Sequence, residues 1–219
     1  MHRAVRRRLH VYQLSRLVHA SPAQWERLLT SMEEDKERAY NYYQPMRQAA
    51  AQLCSLGLAK RDLIVGKLIS DAARIRAGKG QNPVRDNVRA FEAFELNFYP
   101  KVRTMIRSLL REDQQGGVTF EGLKITGLPH LEVEDRKGNV RYVFLYPSIW
   151  NRDDLKAYLE LLYEIVRVRF RADPKSIWCM GLREGKTIRF KPSRSIRRKC
   201  QEAAQHFCRF ATAQEESEQ

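Results

Sequence analysis

Gly127 to Asp135 reads GLPHLEVED, and it places His130, Glu132 and Glu134 at alternate positions. On a strand, alternate side chains share a face. Carboxylate oxygens are hard ligands suited to Mg²⁺ or Mn²⁺. A metal held by them activates water and stabilises charge on a phosphate. The plainer reading of the same residues is a satisfied strand-edge histidine and an exposed strand face opposite Arg141. A second stretch, Gly181 to Cys200, is GLREGKTIRFKPSRSIRRKC. It carries Arg183, Lys186, Arg189, Lys191, Arg194, Arg197, Arg198 and Lys199 against one acid, Glu184. Such a run suits contact with a phosphate backbone, without strong choice of base sequence. Phe190 is its main aromatic residue, so base stacking is not signalled. The alternative is a solvated basic edge.

The elements that must carry these residues can be read from periodicity. Apolar positions at helical spacing run through Trp25, Leu28 and Leu29, through Leu53 and Leu56, and through Leu63, Ile64, Leu68 and Ile69. Residues 1–80 are therefore expected to be an all-helical N-terminal region, and RAGKGQNP at 76–83 to be a linker. Asn82-Pro83 caps and opens a helix through Phe91 and Phe94, with helix resuming beyond Pro100 to about Leu110. VTFEGLKITG reads as a strand pair or one bent strand. LPHLEVED and VRYVFLY read as two further strands around the turn DRKGN. The stripe Leu155, Leu159, Leu162, Ile165, Val166 predicts a strong helix. SIWCMGL and TIRFKP form a hairpin about REGK, and Ser193 opens a last helix to about Phe210. The chain is thus expected to be an α/β protein, a small mixed sheet in αβββαβ order flanked by helices. Its parts are 1–80, an α/β domain at 81–213 and a frayed tail at 214–219.

That order, with the Gly-x-Pro turn at Gly127-Leu128-Pro129, resembles the core of the PD-(D/E)XK nuclease-like superfamily over about residues 83–213. The resemblance implies a carboxylate at the start of one strand, a carboxylate and a lysine on the next, and in some members an acid on the preceding helix. This chain has His130 at the first place and Leu145 and Pro147 at the second and third. No Asp or Glu occurs between Val140 and Trp150. Glu92 or Glu95 matches the helix acid. Asp154 and Tyr158 keep the spacing of a helical Gln-x-x-x-Tyr found in recombination-related members, with the Gln replaced. The resemblance therefore implies a nuclease fold whose usual catalytic centre is degenerate. A displaced centre, if active, would draw on Glu92, Glu95, His130 and Glu132, with Glu92 and Glu132 as ligands of Mg²⁺ or Mn²⁺; otherwise no cofactor is expected.

The formal net charge of +14 favours a polyanionic partner, a nucleic acid or an acidic protein. No run of about eighteen apolar residues is present, so a membrane-spanning role is not expected. Cys54, Cys179, Cys200 and Cys208 lack the spacing of a zinc site and read as reduced thiols of a cytoplasmic protein. The first 25 residues contain Arg but no Asp or Glu. They fit a solvated first helix, a phosphate-touching arm or a transit segment. Three functions remain open: a non-catalytic nuclease-like protein that binds nucleic acid or works in a nucleic-acid-processing complex, a metal-dependent nuclease with a rearranged site, and a protein-interaction scaffold.

Overall fold

A computed structural model describes residues 8–21, 23–25, 27–28, 42–76, 78, 80–103, 106–109, 117–127, 129–134, 137–146 and 152–217. Two sheets organise it. Strands β2 (Ile106–Leu109), β5 (Leu131–Glu134), β6 (Val140–Tyr146), β7 (Ile177–Gly181) and β8 (Lys186–Arg189) lie side by side in that order. Only β6 and β7 are parallel in this sheet. Helix α6 (Arg152–Phe170) carries the chain between them, as a parallel pair requires. The second sheet sets β1 (Arg8–His10) parallel to β4 (Leu123–Thr126), with β3 (Val118–Phe120) antiparallel on the other side of β4.

Strand β6 shows why the larger sheet has helices on both faces. Tyr142, Phe144 and Tyr146 enter one core with Ile177 and Cys179 of β7, α1 (Val11–Leu17), α6 and α7 (Arg194–Ser217). The alternate residues Val143 and Leu145 enter another core, with Leu131, Val133 and Met180. That second core is closed by α2 (Gln44–Leu56), α3 (Arg61–Ala73), α4 (Pro83–Asn97) and α5 (Tyr99–Val102) through Met46, Leu53, Ile64, Leu68, Phe91, Phe94 and Phe98. A strand buried on both faces is largely apolar, as VRYVFLY is apart from the half-buried Arg141 near its start. The α/β expectation holds.

Helices on both sides of the 76–83 segment share this second core, so α2 and α3 pack with α4 as one layer. Their junction is tied by Asn87, which is fully buried. Its Oδ1 accepts from Met46 N at 3.0 Å, and its Nδ2 donates to Tyr42 O at 2.7 Å and Pro83 O at 2.9 Å. Asn82 caps α4 as its sequence implies, accepting from Arg85 N at 3.0 Å.

Three expectations are corrected. Residues 8–10 are a strand, so the N-terminal region is not all-helical; pairing with β4 and burial of Leu9 outweigh the helical spacing of the segment. His10 then ends the strand and starts α1 in a capping box with Gln13. Residues 106–109 are also a strand rather than the end of a helix, because β5 offers them a backbone edge to pair with. Among the described residues five strands therefore lie between α4 and α6, β3 and β4 belonging to the smaller sheet. Helix α7 continues past Phe210 to Ser217, a stretch containing the good helix formers Ala, Gln and Glu.

Candidate functional site

The parallel strands β6 and β7 run out together at Tyr146 and Gly181, and Leu182 N donates to Tyr146 O at 2.9 Å. Because β5 is antiparallel to β6, the start of β5 lies at this same end. His130, just before β5, is bonded there twice. Its backbone N donates to Val143 O at 2.8 Å, and its Nδ1 accepts from Leu145 N at 2.9 Å. The ring meets Phe144 edge-on at a centroid distance of 6.4 Å. Two residues far away in sequence complete its surroundings. Arg47 of α2 brings Nη1 to 3.4 Å from His130 Nε2 and donates through Nε to Tyr43 O at 3.3 Å. His10 also stands near enough to act on the ring electrostatically. Burial first, then the charges of Arg47 and His10, holds His130 well below the ordinary histidine range, so the ring is neutral at neutral pH.

The divalent metal considered from the sequence does not fit this place. The Nδ1 lone pair is spent on Leu145 N, Nε2 faces a guanidinium, and Leu145 contributes only an apolar side chain to the core. Among the described residues no group of three His, Cys, Asp or Glu is placed to hold a metal. Pro147 lies outside the described residues.

The candidate acids do not gather here either. Glu95 is bonded to Arg61 of α3, Nε to Oε1 at 2.6 Å, and exposed Glu92 acts electrostatically on the same Arg61. Both belong to the α3–α4 contact. Glu132 follows His130 on β5 and stands opposite Tyr142. The register places Arg141 opposite Val133, and so on the other face from Glu132 and Glu134. Arg141 Nη1 donates to Lys175 O at 2.7 Å.

The eight basic residues of 181–200 are spread along the β7–β8 hairpin and into α7. Gly181 pairs with Lys186 and Trp178 with Arg189, so the two ends of β8 are about 10 Å apart at roughly 3.3 Å per residue. Arg183 and Lys186 are exposed at the end where His130 sits. Arg183 lies close enough to act on the Tyr43 hydroxyl, one helical turn before Arg47. The other end carries Lys191, Arg194, Arg198 and Lys199, all exposed; the side chain of Arg189 lies outside the described residues.

Arg197 is different. Its Nη2 donates to Glu164 Oε2 at 3.0 Å, and Glu164 also accepts from Arg167, so Arg197 ties α7 to α6. The donors at the start of α7 are met from within: Glu160 Oε2 accepts from Ser193 N at 3.1 Å, and Ser193 Oγ accepts from Ile196 N at 3.4 Å. Burial raises the Glu160 carboxyl above its ordinary range. Cys54, Cys179 and Cys200 are thiols pushed up to about 12 by burial, which suits packing and not nucleophilic chemistry.

Arg47 and His10 were not singled out in the sequence. The one signal that could have found them is that both are basic and stand where an apolar helix pattern begins. Among the described residues no helix is long and apolar enough to cross a membrane. No protein-family model, curated protein or solved structure matches the chain.

Proposed function

We propose that this is a non-catalytic, nuclease-like protein that binds nucleic acid. The observation that carries the reading is His130. It stands where the resembling nucleases place a metal-binding acid, and it is a neutral ring bonded to the backbone of β6 beside a guanidinium. Within the larger sheet the elements run helix, three strands, helix, strand: α4, β2, β5, β6, α6, β7. That order supports the family resemblance once the β3–β4 hairpin is set aside as an excursion into the smaller sheet. The net charge of +14 and the exposed residues Arg183, Lys186, Arg194, Arg198 and Lys199 supply the attraction for phosphates.

The test is a titration of labelled single- and double-stranded DNA and RNA with Mg²⁺ or Mn²⁺, read for binding and cleavage across a salt series. Salt-sensitive binding with intact substrate is expected. Metal-dependent cleavage that disappears in Glu92→Ala/Glu132→Ala would replace this reading with an active nuclease. Absence of both binding and cleavage would leave a protein-interaction role.

A further inference from the structure

We infer that Arg47 and His130, with His10 beside them, form a binding site for a phosphate group at the carboxyl ends of β6 and β7. The inference deepens the nucleic-acid reading above and rests on it only for the source of the phosphate.

His130 Nδ1 accepts from Leu145 N at 2.9 Å, so Nδ1 carries no proton. An imidazole with a bare Nδ1 has its N–H on Nε2. That N–H points at Arg47 Nη1, 3.4 Å away, and a guanidinium has donors and no lone pair. Two donors therefore face one another. Moving the proton to Nδ1 only transfers the conflict to the Leu145 amide at a shorter distance. Among the described residues no acceptor stands on His130 Nε2. One anionic oxygen received between Nε2–H and Arg47 would turn the donor–donor contact into two hydrogen bonds, charge-assisted from both sides.

The surroundings select an anion. Arg47 comes from α2, His10 from the β1–α1 junction and Arg183 from the turn between β7 and β8, so positive or donor groups converge from separate elements. The place lies at the carboxyl end of a parallel strand pair, the end where α/β sheets present their ligand crevices. A divalent cation would meet the guanidinium head-on. A phosphate, with several acceptor oxygens, answers both Arg47 and His130.

The probe is inorganic phosphate, titrated into ¹⁵N-labelled full-length protein at low salt and followed at the Leu145 amide and the His130 ring. Saturable shifts at both are expected. Arg47→Gln should weaken binding by at least about tenfold, the loss of a charge-assisted hydrogen bond. His130→Gln, whose amide can accept from Leu145 N while donating outward, should bind more tightly than His130→Leu. Arg47 is a partly exposed surface residue, so Arg47→Gln keeps the test decisive if His130→Leu does not fold. Unmoved signals in the folded wild type, or equal affinity in wild type and Arg47→Gln, would overturn the site. A short single-stranded oligonucleotide supplies the second arm. Competition with phosphate that is lost in Arg47→Gln supports a backbone phosphate as the ligand. Phosphate binding without competition supports the site with free phosphate as its ligand and removes it from the nucleic-acid reading. Oligonucleotide binding with no phosphate response overturns the site and leaves the nucleic-acid reading standing.

Discussion

Replacing Asn87 by Leu keeps the branching and the number of side-chain heavy atoms, and removes every polar link that this residue makes between α4 and the start of α2. Met46 N–H then loses its acceptor and the Tyr42 carbonyl loses its donor, both in buried surroundings. The Pro83 carbonyl loses less, since it sits in the first turn of α4 in a half-buried position. A buried backbone group left without a partner costs about 1–3 kcal/mol, so two of them cost about 2–6 kcal/mol. That is a large part of the 5–15 kcal/mol typical of a folded domain. Urea unfolding followed by circular dichroism would show the loss as a lower midpoint at unchanged slope, and melting would fall by about 2–4 °C for each kcal/mol. Because Arg47 follows Met46, hydrogen exchange at the Met46 amide should also accelerate. A loss below about 1 kcal/mol, or an unchanged Met46 exchange rate, would refute the reasoning that Asn87 is what fixes α2, and Arg47 with it, on α4.

Other outcomes follow from the same structure. His130 has a folded-state pKa below its ordinary 6.5, so the unfolded chain binds the extra proton first. Stability therefore rises with pH through that window and falls by up to about 1.4 kcal/mol for each pH unit below 6.5; His130→Gln should flatten that slope in melts taken between pH 5 and 7. Arg197→Gln should cost at most about 1 kcal/mol, because the pair with Glu164 is partly exposed on the Arg197 side and screened, whereas Arg198→Gln should stay within about 0.5 kcal/mol in the same melts. In nucleic-acid titrations, Arg198→Gln/Lys199→Gln should reduce the salt slope by up to about 0.9 for each phosphate that is no longer neutralised; an unchanged slope would take that end of the hairpin out of the interface. Gly127→Ala brings a methyl group to 2.8 Å from Val11 Cγ2, in fully buried surroundings, and should cost about 1–3 kcal/mol by thermal melting.

The elements that proved legible in the sequence were those whose signals are local. Asn82-Pro83 announces α4 because a cap and a fixed φ act within one turn. The stripe from Leu155 to Val166 announces α6, and the run Tyr142–Tyr146 of β6 announces burial on both faces. Strands β1 and β2 resemble helix in sequence because each is only three or four residues long, and their conformation is dictated by partners at Lys124–Thr126 and Leu131–Val133. Local spacing carries no record of those partners. The site divides in the same way. His130 can be picked out as a histidine in the place of an acid, but its neighbour Arg47 is 83 residues away and only tertiary packing joins them. The run from Arg183 to Lys199 reads as one linear stretch, and the reversal at Glu184-Gly185 that folds it back on β7 is not visible in a count of charge. Arg197 looks like a surface cation because its partner Glu164 lies 33 positions earlier.

Pairing of Arg8–His10 with Lys124–Thr126 sets an order of events for the growing chain. Residues near the start of the chain are made first, yet their strand partner comes more than a hundred positions later. Val11, Leu14 and Leu17 also wait for Leu161, Leu162, Ile165 and Phe207, with which they share a core. Pairings so distant along the chain close slowly. During synthesis the segment from Arg8 to Leu17 therefore meets its strand partner and its full core only after β4, α6 and α7 have emerged. The helices around Asn87 draw most of their core from residues 46–102 and can begin to pack well before then.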